Sequence, residues 1–175
     1  NITCQDIDND GMPEVPLADM LPGYTDPEAA DTLWKLRWTR FENGNTNGVA
    51  VETFHSPADG WYFQWPETWG SNVSAQRKSE AGIIKTTFLV PVEGAEEGYL
   101  FQGSDNVLLQ IWVFTGDNRQ EYFASSGMEW LYTSDNAIYG YSLPENGYPQ
   151  LSLSADQVAR SFHAITKEWA SEVFS

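Results

Sequence analysis

Apolar and polar residues alternate along most of this chain with the period of two that belongs to β-strands. In Leu33-Trp34-Lys35-Leu36-Arg37-Trp38-Thr39-Arg40-Phe41, the large apolar Trp34, Leu36 and Trp38 alternate with basic residues. That pattern predicts a strand with one wet, cationic face. The cluster from Glu42 to Gly48 is rich in Asn and Gly and reads as a turn, and Val49-Ala50-Val51-Glu52-Thr53-Phe54 reads as the returning arm of a hairpin. Pro57-Ala58-Asp59-Gly60 is a second turn. It opens into Trp61-Tyr62-Phe63-Gln64-Trp65-Pro66, a strand leaving a tight turn and stopping at a rigid corner before Trp69. Val73–Arg77 and Gly82–Val90 keep the same rhythm, with an acidic turn at Glu93–Gly98. Leu108–Phe114 is apolar at nearly every position and predicts a central strand covered on both faces. Ala137–Leu143 reads as a strand ended by Pro144.

Two stretches have a helical period. Residues 119–132 look helical but are broken by Gly127. The last element is clearer: Ser154 is placed to cap a helix, with Gln157 three residues on in capping-box position. Val158, Phe162, Ile165 and Trp169 follow at spacings of four, three and four, forming one apolar stripe that needs a sheet to cover. The fold class this predicts is α+β: an antiparallel β-sheet flanked by helices, with an amphipathic C-terminal helix. Residues 1–33 are rich in Asp, Pro and Gly and lack apolar periodicity, so they read as an acidic segment and linker. Residues 34–175 read as a single α+β domain.

Composition narrows the setting. The 175 residues hold 9 Lys and Arg against 25 Asp and Glu, a net charge of −16. So acidic a chain repels phosphate backbones and anionic lipid, which argues against nucleic-acid and membrane-surface roles. A length of this order buries roughly 70% of the unfolded surface, and the 8 Trp, 8 Tyr and 9 Phe suit a sheet-rich core. Cys4 is the only cysteine, so no internal disulfide forms. Asn1-Ile2-Thr3 before it is not an apolar signal segment, which argues against Cys4 as a lipid-bearing cysteine. A start at Asn1 without Met suggests a mature or cut-down fragment.

Candidate chemistry concentrates in Asp6-Ile7-Asp8-Asn9-Asp10-Gly11-Met12-Pro13-Glu14. Carboxylates at loop positions one, three and five place hard oxygens around one point. Gly11 allows a sharp turn, Met12 offers its backbone carbonyl, and Glu14 fills position nine. Calcium favours that crowd of oxygens in a flexible loop. An EF-hand also requires a bidentate Glu at position twelve, where Leu17 stands, so the loop is not an EF-hand. The run resembles instead the calcium loop of FG-GAP and VCBS-type β-propeller repeats, which bacterial surface lipoproteins carry upstream of a separate C-terminal domain. The resemblance implies a calcium site at Asp6, Asp8, Asp10, Met12 and Glu14. The plain alternative is an acidic linker of Asx turns.

Gly60-Trp61-Tyr62-Phe63-Gln64-Trp65-Pro66-Glu67-Thr68-Trp69 resembles the Gly-aromatic-x-aromatic-x-aromatic-Pro-x-x-Trp signature of PsbP-like domains, over residues of about 50 to 172. The resemblance implies an antiparallel sheet sandwiched by helices, used as a binding or assembly module without catalysis. Catalytic motifs are sparse: His55 and His163 have no nearby ligand at short spacing, and no nucleophile elbow, phosphate loop or dinucleotide fingerprint is present. The expectation is a non-catalytic extracytoplasmic binding or scaffold domain of a bacterial surface lipoprotein, held to the membrane only through an upstream lipid anchor. The sequence leaves its partner, a protein or a cell-wall glycan, unidentified. One alternative is a carbohydrate-binding domain, with Trp61, Trp69 and Trp130 as the contact candidates. The other is a hydrolase using a carboxylate pair such as Glu52 and Glu67.

Overall fold

A computed structural model describes residues 4–42, 45–92 and 105–165 of the chain. They divide into two compact units. The first takes Asn1–Met20, Trp34–Glu67 and Ser161–Ser175, and the second takes Leu21–Leu33 and Thr68–Arg160. Each unit is built on a five-stranded antiparallel sheet. The sequence predicted one sheet flanked by helices. The structure is a mixed fold with two sheets and two short helices among the described residues, and strands dominate.

In the first unit, β1 (Val15–Met20), β2 (Trp34–Glu42), β3 (Asn45–Ser56) and β4 (Trp61–Gln64) follow one another in chain order. The predicted β2–β3 hairpin is present, with Lys35 opposite Phe54 and Arg37 opposite Glu52. The segment read as a linker supplies β1, whose Val15 and Met20 lie opposite Thr39 and Trp34 of β2. The turn into β4 follows from its residues. Ser56 Oγ donates to the buried Asp59 carboxylate at 2.6 Å, and Gly60 takes the left-handed conformation that closes the turn. Along β4 the side chains alternate: Trp61 and Phe63 are buried while Gln64 is exposed. Trp61 packs against Phe54 and Phe162, with ring centroids 5.6 and 5.8 Å apart. On the opposite face, Tyr62 stacks between His55 and His163 at 4.8 and 4.7 Å. Trp38 is buried and satisfies its indole N–H on Thr53 Oγ1 at 2.7 Å.

The second unit orders its strands β5-β6-β7-β9-β8. These are β5 (Ser74–Glu80), β6 (Ile83–Leu89), β7 (Val107–Thr115), β8 (Glu129–Thr133) and β9 (Ala137–Ser142). Ala81 and Gly82, both at positive φ, form the two-residue turn between β5 and β6. The apolar run at Leu108–Phe114 is the central strand expected of it, flanked by β6 and β9. Residues 119–132 split at Gly127. Helix α1 (Arg119–Ser126) ends there on a left-handed cap, and the chain resumes as β8. Phe123 of α1 meets Phe114 edge-on at 5.6 Å, over Gly140. A Cβ at Gly140 would come within 2.9 Å of the Phe123 ring, so only glycine admits the helix there.

The C-terminal helix is shorter than its periodicity predicts. The capping box forms, with Gln157 N donating to Ser154 Oγ at 3.2 Å and Ser154 N donating to Gln157 Oε1 at 2.8 Å. Helix α2 (Ala155–Ser161) buries Val158 and then stops. Phe162–Ala164 is strand β10, paired antiparallel with β4, and Ile165 N donates to Gly60 O at 2.8 Å. Spacings of four and three suit a helix, but pairing beside β4 puts Phe162 against Trp61, and that tertiary gain overrides the local period. Trp169 and the Glu93–Gly98 turn lie outside the described residues. Among the described residues no helix is long and apolar enough to cross a membrane.

Candidate functional site

The loop before β1 is closed by a two-way backbone bridge. Gln5 N donates to Glu14 O at 3.1 Å, and Glu14 N donates to Gln5 O at 2.7 Å. Within it, aspartate side chains take up the amides that the tight turns leave over. Asp6 Oδ1 accepts from Asp10 N and Oδ2 from Gly11 N, both at 2.9 Å. Asp8 Oδ1 accepts from Asp10 N at 3.2 Å, and Asp10 Oδ1 accepts from Met12 N at 2.9 Å. Asn9 and Gly11 sit at φ of 60° and 90°, the left-handed turns for which Asn and Gly are suited. The Asp-x-Asp-x-Asp-Gly pattern therefore acts locally, each carboxylate ordering the backbone a few residues ahead.

The same folding gathers charge. One carboxylate oxygen each from Asp6, Asp8 and Glu14 lies within 4.8 Å of the others. Asp6 and Asp8 are exposed, but Glu14 is 0% exposed. Its Oε2 accepts the Ile7 amide at 3.1 Å, while Oε1 is buried without a hydrogen bond. Burial, partly offset by that amide, holds the Glu14 carboxyl above its ordinary range, and the charges of Asp8, Asp10 and Asp6 push the same way. The set offers only hard oxygen ligands, and one of them lacks a donor.

The cation that reaches this loop comes from β2. Val15 lies opposite Thr39, and their neighbours Glu14 and Arg40 approach each other just beyond that pair. Arg40 Nη2 lies 2.8 Å from Asp8 Oδ2 and 3.0 Å from Asp10 Oδ2. Its Nε is 4.0 Å from Glu14 Oε1. The hydrogen bond that Arg40 donates to Asp8, with the nearby Asp10 charge, raises the Arg40 pKa above its ordinary value. Asp10 is thus turned to Arg40, and the Met12 side chain is exposed at the tip.

Comparison with family models, curated proteins and solved structures finds no match.

The three tryptophans expected at a contact surface separate. Trp61 and Trp69 are both 0% exposed and are core residues rather than contact candidates. Trp61 faces inward on β4, as Phe63 does. Trp69 donates its indole N–H to Leu151 O at 2.8 Å and packs on Phe88 at 5.4 Å. Trp130 is 60% exposed on β8, the edge strand of its sheet, with Nε1 donating to Thr133 Oγ1 at 3.0 Å. Glu52, half of the carboxylate pair, is ion-paired to Lys35 at 2.8 Å. The histidines come together around a spacer: Tyr62 stacks between His55 and His163, so its ring separates the two imidazoles. Burial pushes His55 down to about 4. Arg40 is the site residue that sequence reasoning missed. The alternation of basic residues along β2 announced cations, but nothing in it said which one would meet the loop.

Proposed function

We propose that this chain is a non-catalytic extracytoplasmic binding or scaffold domain of a bacterial surface lipoprotein, and that its Asp6–Glu14 loop holds a divalent cation, calcium by its chemistry. The observation that carries the metal reading is Glu14: a carboxylate with no exposure, one oxygen unbonded, facing Asp6 and Asp8. Burying a charged oxygen without a hydrogen bond is costly, and a bound cation removes that cost. Asp6, Asp8 and Glu14 would hold the ion, with Asp10 and the Met12 carbonyl as the further ligands. Calcium accepts six to eight such oxygens without demanding strict geometry. It would supply charge compensation and hold the loop's turns together.

The PsbP-like resemblance is the proposal for the remainder. The strand opened by Gly60 and closed before Pro66, the middle helix α1 and the buried strand β9 support it. The surface setting rests on the net charge of −16 and the calcium-type loop. The test is a thermal melt in calcium and in chelator. A hundredfold excess of ion over its Kd stabilises by about 2.7 kcal/mol, which raises the Tm of a chain this size by roughly 5–10 °C. Asp8→Ala should abolish the rise. Identical melts of the wild type in both conditions would return the loop to an acidic turn.

Trp130 keeps a carbohydrate reading open, because its exposed indole on an edge strand is available to stack on a sugar ring. Calorimetric titration against cell-wall glycans and plant polysaccharides decides it. Silence across that panel removes the reading.

A further inference from the structure

We propose that Arg40 is a tethered counter-cation that competes with the divalent ion for the Asp6–Glu14 loop, and so sets its affinity low; this rests on the metal reading above. Arg40 reaches the loop from β2, outside the motif, and its guanidinium shares Asp8 and borders Glu14, two of the three carboxylates that could hold an ion. One nitrogen, Nη2, contacts both Asp8 and Asp10, at 2.8 and 3.0 Å. These are two of the carboxylates the ion needs.

The fit is electrostatic but geometrically incomplete. Arg40 Nε and Glu14 Oε1 are opposite in charge, both buried, and neither makes a hydrogen bond. They stand 4.0 Å apart, beyond hydrogen-bond reach. A planar guanidinium whose Nη2 bridges Asp8 and Asp10 does not also close on Glu14 through Nε. A spherical ion carries no such directional constraint and can draw Glu14, Asp6 and Asp8 together. Arg40 therefore compensates the loop well enough to keep it folded without metal, and poorly enough to be displaced. The two cations repel across a cluster only a few ångströms wide, so each weakens the other. An arginine cannot lower that repulsion by losing its proton. The site then responds in the concentration range of weak extracellular calcium modules, about 10⁻⁴–10⁻³ M.

The experiment is calorimetric titration of the whole chain with calcium chloride, for wild type, Arg40→Gln and Arg40→Lys. Arg40→Gln should bind calcium at least about tenfold more tightly than wild type. Arg40→Lys should stay within about threefold of wild type, since it keeps the charge. In metal-free buffer Arg40→Gln should melt earlier than wild type, and calcium should reverse the order. Equal or weaker binding by Arg40→Gln, with wild type binding, overturns the competition while leaving the metal site standing. No heat from either protein overturns the metal reading, and the competition with it. Should Arg40→Gln fail to fold, the side-chain Nε–H resonance of Arg40 in the wild type serves instead. Calcium should shift it and speed its exchange with water, where magnesium at equal ionic strength does so less. An Arg40 signal unmoved by saturating calcium overturns the proposal.

Discussion

The Asp6–Glu14 loop and the Trp61–Trp69 stretch are the two densest patches of unusual residues in the chain, and their side chains have opposite fates. In the loop, short polar side chains bond amides two to five residues away, so the pattern determines its own conformation. In the stretch, large apolar rings pack on partners that other strands bring to them. Trp61 meets Phe162, and Trp69 bonds Leu151 O, 82 residues distant. Polar spacing is a local instruction. Aromatic content is a demand that only tertiary structure meets.

The sharpest way to break this contrast is to truncate one residue of each kind. Trp61→Ala should cost roughly 3–5 kcal/mol in urea denaturation, since its ring is wholly buried among Phe54 and Phe162. A cost near 1 kcal/mol would mean the first unit's core lies elsewhere. Next in size is a pH effect within the same unit. His55 is held near 4 when folded and titrates near 6.5 when unfolded. Stability from its neutral form is present above pH 6.5 and is lost as pH falls from there towards 4, by up to about 3 kcal/mol. Denaturation midpoints of wild type and His55→Phe at pH 7 and pH 4.5 should diverge accordingly. Parallel pH curves would show that His55 keeps its solution behaviour.

The loop should give a smaller response. Asp6→Ala removes the acceptor for two amides and should cost about 1–2 kcal/mol in chelator, with amide exchange rising only at Asp10 and Gly11. Exchange rising across β2 and β3 as well would make the loop part of the cooperative core. Smallest of all is Trp130→Ala, expected within about 0.5 kcal/mol because the side chain is exposed. A larger loss would place Trp130 among the packed rings.

What was legible in the sequence follows the same division. The β2–β3 hairpin, the Gly60 turn, the alternation through β4 and the Ser154–Gln157 capping box depend on neighbours a few residues apart, and each reads directly. The helix expected to run on to Trp169 did not, because Val158, Phe162 and Ile165 satisfy a helical stripe as well as they satisfy a helix followed by a strand. Only the presence of β4 beside Phe162 decides between them. Trp61 and Trp69 carry no local mark separating them from Trp130. Arg40 needed the β1–β2 register, which is a property of two strands and of neither alone.

The pairing of β10 with β4 has a consequence for how the chain comes into being. Phe63 and its partner Phe162 are separated by roughly a hundred residues, a closure that costs entropy before it returns anything. The stretch between them, Thr68–Arg160, supplies most of the second unit and is synthesised before β10. Until Phe162 leaves the ribosome, β4 is an edge strand carrying Trp61 and Phe63, and an unpaired edge is open to pairing with a neighbouring chain. The three residues of β10 close that edge, and the nascent chain carries it unpaired until they arrive.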